Sequence, residues 1–295
     1  MKLFDLHSDT LYEAYTRKLS PVSSDRLQAP LGVSPFEKTH RVSAIWCDNT
    51  LDDKACFDKF LKIKAYTEKA LFKEPLPESV TLTYAVEDIR LLDRRLDRLA
   101  LLYGCGVRVA TLTWQGLSSV GGAFDTDKGL TDFGKAAVRE ASKLGIVIDL
   151  SHASEASCKD ALHAMDAAGG RVIASHSNAF SVCPHRRNLT DYWIDALIER
   201  GALIGLSLVP GHLSLDKNAT VDTLLFHIDH MLKRQNAESV LAFGSDFDGV
   251  SSLPEGITSL SDLPKLYEKI SKAFGNGIAA RMFYDNAAAF FQTPT

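Results

Sequence analysis

The sequence lacks the features that mark several classes of protein. It has no run of lysine and arginine and no interleaving of basic and aromatic residues, and its formal net charge is −4. Nucleic acids and anionic membranes are therefore not expected as partners. No apolar stretch reaches about 18 residues, and the N-terminal MKLFDLHSDT has too few apolar residues for a signal peptide. We predict a cytoplasmic protein that acts on a small molecule or peptide.

Cysteine is also scarce. The five cysteines are odd in number, widely spread and without a CxxC pair, which argues against a disulfide framework and against a CxxC zinc site. We expect reduced, mostly buried thiols.

Low-complexity tracts and internal repeats are absent, and a composition of 45% hydrophobic and 24% charged residues is typical of a globular protein.

Short β-rich apolar runs alternate with helical patterns, as in a parallel sheet covered by helices. Eight runs predict a (β/α)8 barrel of the TIM type that forms one catalytic domain over residues 1–295. Apolar residues at three- to four-residue spacing from Ile89 to Tyr103 predict one helix. The segment Arg17–Arg41 is rich in serine and proline, which predicts a long loop. The predicted strands are Leu3–Leu6, Val42–Trp46, Thr81–Val86, Val107–Thr113, Ile146–Leu150, Arg171–Ala174, Leu203–Leu208 and Val240–Gly244.

Side chains that can bind metals recur just beyond the ends of these strands. In a parallel barrel such positions meet at one face, so residues far apart in the chain can form one site. Each signal alone is weak, since an HxD motif, a core histidine and an acidic helix start are common structural features. The joint pattern favours a metal site made of His7, Asp9, Glu87, His152, His176 and Asp246.

The residue types suggest roles within this set. His7 and Asp9 have the two-residue spacing that aims both side chains to one side of an extended chain, and the two oxygens of Glu87 can bridge two cations. In GSDFDG, Asp246 is nearest the strand end and is our choice for proton transfer, whereas Asp248 is expected to stabilise the turn. Arg187 is expected to hold a substrate carboxylate.

The other basic candidates carry less weight. We assign Arg186 a structural ion pair, and we leave His212 open between the rim of the pocket and a solvated loop. His227 and His230 lie in an amphipathic pattern that indicates helix packing.

The motifs resemble those of the membrane (renal) dipeptidase family of zinc metallopeptidases, and the similarity spans nearly the whole chain. They occur in the family's order, and several collinear motifs are more specific than any one of them. They are DLHSDT at 5–10, AVED at 85–88, GVRVATLTW at 106–114, DLSH at 149–152, SHSNA at 175–179, RRN at 186–188, GSDFDG at 244–249, PEG at 254–256 and DNAAAFF at 285–291.

The resemblance implies two zinc ions: one held by His7 and Asp9, the other by His152 and His176, with Glu87 bridging both. It also implies that Asp246 transfers protons and that Arg187 binds the terminal carboxylate of a dipeptide, whose amide is attacked by a metal-bridging hydroxide. The sequence departs from the family at Trp114, where the family has a histidine that polarises the substrate. The indole can donate one hydrogen bond but carries no charge.

Two other functions stay open at this point. Another binuclear-metal amidohydrolase, acting on N-acyl amino acids, lactones or cyclic amides, would share the metal site but need a different pocket. A non-catalytic barrel used as a binding module would be expected to have lost ligands, and all six positions carry competent residues. The sequence also leaves the oligomeric state open, a homodimer included.

Overall fold

A computed structural model describes residues 1–216 and 218–292 of the chain. The eight strands follow chain order in a closed barrel and alternate with helices, which confirms the predicted (β/α)8 fold. Each predicted run overlaps one strand. The strands are β1 (Lys2–Ser8), β2 (Lys38–Trp46), β3 (Val80–Glu87), β4 (Val107–Thr111), β5 (Val147–Asp149), β6 (Val172–Ala174), β7 (Leu203–Leu206) and β8 (Leu241–Phe243).

The helices lie between and after the strands. They are α1 (Thr10–Arg17), α2 (Asp53–Lys73), α3 (Asp97–Gly104), α4 (Asp132–Lys143), α5 (Glu155–Ala168), α6 (Asp191–Glu199), α7 (Pro210–Leu213), α8 (Val221–Leu232), α9 (Leu263–Phe274), α10 (Asn276–Ala280) and α11 (Asn286–Gln292). Short 3-10 turns occupy Ile89–Leu92, Ala237–Ser239 and Leu260–Asp262, and one π-helical turn occupies Arg281–Asp285.

The prediction of one continuous helix from Ile89 to Tyr103 was wrong. The backbone of Asp93 and Arg94 is left-handed, with φ of 52° and 57°, and this conformation ends the first turn before α3 begins. The Thr131 hydroxyl caps α4 by accepting a hydrogen bond from the Gly134 N–H at 3.0 Å.

Contacts divide the chain into two compact units. Among the described residues, the first unit comprises 1–43, 70–82, 174–216 and 218–292. Within it β1 pairs with the start of β2 and with β8, and β7 also pairs with β8. Asp5 lies opposite Phe243 in this register, and the Phe243 ring stacks on Phe283 with centroids 5.2 Å apart. The strand β1 is thus anchored in the core of its unit.

The second unit comprises residues 44–69 and 83–173. Its strands β3, β4, β5 and β6 pair in parallel in that order. The register sets Glu87 opposite Thr111 and Thr111 opposite Asp149, so these three residues form a row at the carboxyl ends of their strands. The organisation of residues 1–295 as one domain stays a prediction.

Candidate metal centre

Three predicted site residues of the first unit come together at the end of β1. One ligand atom each from His7, Asp9 and Asp246 lies within 4.8 Å of the others. The Asp246 N–H donates to the His7 carbonyl at 3.0 Å, and the Asp9 N–H donates to the Phe247 carbonyl at 2.8 Å. These main-chain bonds hold the HSD segment beside the GSDFDG turn. Asp246 therefore lies beside the two residues that the sequence predicts as ligands of one metal ion, and the roles of all three stay predictions.

A buried carboxylate that sequence reasoning missed supports this cluster. Asp5 accepts hydrogen bonds from the N–H and hydroxyl of Ser245 at 2.8 and 2.7 Å, and its Oδ2 lies 3.4 Å from the Arg41 Nε. Burial raises the pKa of Asp5, whereas Arg41 and the hydrogen bonds lower it. A signal was present, because Asp5 and His7 are two residues apart on one strand and therefore share a face.

The turn that carries Asp246 has an unusual backbone. Asp246 and Asp248 both have positive φ, 61° and 66°. Residue 249 must be a glycine because two carboxylates pack against its Cα. A Cβ at Gly249 would lie 2.3 Å from an Asp9 oxygen and 2.4 Å from an Asp246 oxygen. As predicted, Asp248 stabilises the turn, since it accepts hydrogen bonds from the Thr10 hydroxyl and the Gln28 N–H, both at 2.7 Å.

The environment of Asp246 favours its protonated form. Burial and the neighbouring Asp9 carboxylate raise the pKa of Asp246 to about 7, although His7 and Arg187 act to lower it. Such a carboxyl exchanges protons near neutral pH, as a group that transfers protons must.

His176 follows β6 and is completely buried. Its ring lies against that of His7, with centroids 3.9 Å apart. The Ser175 hydroxyl lies 2.7 Å from the His176 Nδ1 and 3.4 Å from the His7 Nδ1, so one hydroxyl helps to orient both rings. Sequence reasoning did not single out Ser175.

In the second unit, Glu87 and His152 form a pair with 3.0 Å between Glu87 Oε1 and His152 Nε2. The other ring nitrogen of His152 lies 2.9 Å from the Trp114 carbonyl oxygen. A main-chain acceptor at Nδ1 fixes the tautomer that leaves Nε2 as a ligand atom, an arrangement typical of metal-binding histidines. Sequence reasoning expected the Trp114 indole to matter and missed this role of its main chain.

Asp88 holds the segment that follows Glu87. It is fully buried, has a φ of 73°, and accepts hydrogen bonds from the N–H groups of Arg90 and Trp114. Burial raises the pKa of Asp88 to about 7, and these hydrogen bonds and the Arg90 charge lower it in part. Asp88 is therefore a structural neighbour of Glu87.

Arg187 is buried, whereas Arg186 is exposed. The Arg187 N–H donates to His185 Nδ1 at 3.2 Å, and the rings of His185 and His212 have centroids 4.7 Å apart. Burial and the Arg187 charge lower the pKa of both histidines, that of His212 to about 2. Because both imidazoles are neutral and the neighbouring guanidinium is positively charged, the surroundings of Arg187 are suited to binding an anion.

Two further histidines are structural, as predicted from their helical pattern. His227 is buried in α8; its Nδ1 accepts from the Ala179 N–H and its Nε2 donates to the Leu213 carbonyl, both at 3.1 Å. His230 contacts the Asp191 carboxylate at 2.8 Å.

The residues of the first unit fit a bound cation. Asp9 Oδ1 is buried and has no hydrogen-bond partner among the residues that the structure describes. The Asp9 carboxylate also lies beside the carboxyl of Asp246. A buried carboxylate oxygen without a partner is costly unless a cation neutralises it. The imidazole of His7 and the carboxylate of Asp9 match the ligands that zinc accepts.

The fold and these groups define a class of protein: a (β/α)8 barrel that carries candidate metal ligands just after its strands. Residues 47–288 match the membrane dipeptidase family, peptidase family M19, and the chain belongs to this family.

Comparisons with individual proteins agree with this assignment. An uncharacterised dipeptidase of Schizosaccharomyces pombe is 32% identical over 200 residues, and the match covers 65% of this chain and 47%, about half, of that protein. A Rhodobacter sphaeroides metallopeptidase, solved with a phosphinate mimic of L-Ala-D-Ala, has a TM-score of 0.82 at 21% identity over 99% of both chains. A dipeptidase of family M19 has a TM-score of 0.83 at 22% identity over 99% of this chain and 98% of its own. These structures share the fold.

Among the residues described, no helix combines the length and the apolar character needed to cross a bilayer.

Proposed function

We propose that the protein is a zinc-dependent dipeptidase that hydrolyses the amide bond of small dipeptides with two zinc ions. The observation that carries the proposal is the cluster of His7, Asp9 and Asp246, in which a buried carboxylate oxygen of Asp9 has no hydrogen-bond partner among the described residues. Membership of the membrane dipeptidase family supports the reaction. A cytoplasmic location remains a proposal that rests on the sequence, and a homodimer is one of the oligomeric states that the sequence leaves open.

In this proposal His7 and Asp9 would hold one zinc ion, His152 and His176 would hold the other, and Glu87 would contribute a ligand to each. The 3.5 Å between His7 Nε2 and Asp9 Oδ2 and the 3.0 Å between Glu87 and His152 support these pairings. In this fold, residues that follow the strands lie at one face of the barrel. When bound, the zinc ions lower the pKa of water and polarise the amide carbonyl.

The protein's own groups position the substrate and move the proton. Asp246 accepts the proton of the attacking water and delivers it to the leaving amine, in keeping with a pKa of about 7. The buried guanidinium of Arg187 binds the carboxylate of the dipeptide. The Trp114 carbonyl holds the His152 ring in the orientation of a ligand.

Metal analysis combined with mutagenesis tests the metal assignment. Purified protein should contain about two zinc ions per chain. The double variant His152→Ala with His176→Ala should lose one ion and all dipeptide hydrolysis, because each substitution removes a nitrogen ligand. His163→Ala changes an exposed histidine of α5 and serves as the matched control. Full activity of the double variant would overturn the proposal.

The proton-transfer role has a separate test. Asp246→Asn should keep its zinc but lose about 10²- to 10⁴-fold in kcat, since the amide cannot accept a proton. Asp191→Asn changes a carboxylate of α6 that contacts His230, and should leave kcat unchanged. A wild-type kcat for Asp246→Asn would exclude this residue as the proton acceptor.

A substrate panel distinguishes the other functions. It should pair L,L and L,D dipeptides with N-acyl amino acids, lactones and cyclic amides. Arg187→Met should raise KM for dipeptides and leave substrates without a carboxylate unaffected. Turnover confined to lactones or cyclic amides would identify another binuclear amidohydrolase. Bound metal without turnover of any of these compounds would identify a non-catalytic barrel.

A further inference from the structure

Two tryptophans of the second unit form an aromatic pair next to the Glu87–His152 pair. Trp46 ends β2, and Trp114 follows β4. Their ring centroids are 4.8 Å apart with an angle of 56° between the planes. The centroid of the Trp114 ring also lies 6.0 Å from that of His152 with 28° between the planes, and the Phe124 ring meets that of His152 edge-on with centroids 6.1 Å apart. Both indoles are only half-buried.

The position of Trp114 is fixed by its main chain. Its carbonyl lies 2.9 Å from His152 Nδ1, and its N–H donates to the buried Asp88 carboxylate. Within residues 1–216 and 218–292, the indole of Trp114 makes ring contacts but no hydrogen bond. The main chain therefore orients the histidine, and the indole is not needed for that purpose.

We propose that Trp46 and Trp114 form a subsite for a large apolar side chain of the dipeptide, an inference that rests on the proposed function. A half-exposed indole gains most when an apolar group replaces the water on its surface. A glycine or alanine side chain is too small to cover the pair. Acidic side chains are disfavoured, because the faces of the indole rings carry partial negative charge.

The test compares substrates of the series X-Ala and Ala-X, where X is glycine, alanine, leucine, phenylalanine, lysine or glutamate. The wild-type enzyme should prefer leucine or phenylalanine over alanine by about 10-fold or more in kcat/KM at one of the two positions. Trp114→Ala should abolish most of this preference and keep its zinc, since the main chain at residue 114 is retained. Trp114→Phe should restore it.

Tyr192→Ala is the matched control, because Tyr192 is an aromatic residue of α6 with 71% exposure. It should keep the wild-type preference. The inference is overturned if Trp114→Ala keeps the wild-type preference, or if lysine exceeds leucine at both positions. Loss of zinc in Trp114→Ala would also overturn it, since the indole would then be structural.

Binding separates this inference from the proposed function. Phosphinate dipeptide analogues that carry an alanine or a leucine side chain can be titrated into zinc-loaded protein by calorimetry. Tighter binding of the leucine analogue, lost in Trp114→Ala, supports the subsite even where no dipeptide is hydrolysed. Equal binding of both analogues to the wild-type protein refutes it, whatever the activity.

Discussion

Replacement of Asp5 by alanine tests whether one buried carboxylate organises the end of β1. Asp5 is completely inaccessible and faces the side chain of Arg41, which is 1% exposed. It also accepts two hydrogen bonds from Ser245, at 2.8 and 2.7 Å. Asp5→Ala would leave a buried guanidinium without its carboxylate and two donors without an acceptor.

The expected cost follows from these contacts. Removal of one partner from a buried ion pair destabilises a protein by about 3–5 kcal/mol. With an unfolding entropy of about 2.1 cal/mol/K per residue, 1 kcal/mol corresponds to roughly 1.6 °C in a chain of 295 residues. Calorimetry should therefore show Tm lowered by roughly 5–8 °C.

A double-mutant cycle identifies the cause. Arg41→Met should also destabilise, and adding it to Asp5→Ala should cost less than the sum of the single changes, because the orphaned charge is then gone. The reasoning would be refuted by a loss below about 1 kcal/mol in Asp5→Ala, or by strictly additive effects.

Three further predictions concern other parts of the first unit. Burial lowers the pKa of His227 from 6.5 to about 4. The neutral imidazole therefore contributes about 3 kcal/mol to the free energy of unfolding above pH 6.5, and this contribution is lost as the pH falls towards 4. Urea titrations of His227→Gln should show a weaker pH dependence, and an unchanged one would contradict this. A Cβ at Gly244 would lie 1.7 Å from a carbonyl oxygen, so Gly244→Ala should lower the free energy of unfolding by about 1–3 kcal/mol. Gly277→Ala is the control: a Cβ at this position meets nothing within 4 Å, so this variant should keep the wild-type free energy of unfolding. Asp248 accepts a hydrogen bond from the Gln28 N–H, so Asp248→Ala should speed proteolysis and amide exchange around Gln28. Unaltered protection would show that Asp248 does not hold this segment.

The order of the strands was predictable because apolar runs and helix signals alternate along the whole chain. The candidate metal ligands follow from the same alternation, since residues that come after the strands of a parallel barrel lie at a common face. His7, Asp9 and Asp246 do meet, whereas the complete ligand set of the two zinc ions stays a prediction.

Other features depend on information that side-chain patterns do not carry. The contact that orients His152 is made by the main-chain carbonyl of Trp114, which any residue type would provide, so the identity of residue 114 gave no signal for it. The division of the helix at Asp93 and Arg94 depends on left-handed backbone that non-glycine residues adopt only sparingly. Ser175 acts on two histidine rings that are 169 positions apart in the sequence.

The bond between Gln28 and Asp248 has a consequence for the order of folding. The two residues exchange hydrogen bonds at 2.7 Å in both directions across a separation of 220 positions. During synthesis, the segment around Gln28 leaves the ribosome long before its partner exists, and loop closure over such a distance is slow. The two hydrogen bonds that hold Gln28 can therefore form only after β8 and the turn that follows it have been made, late in the synthesis of the barrel.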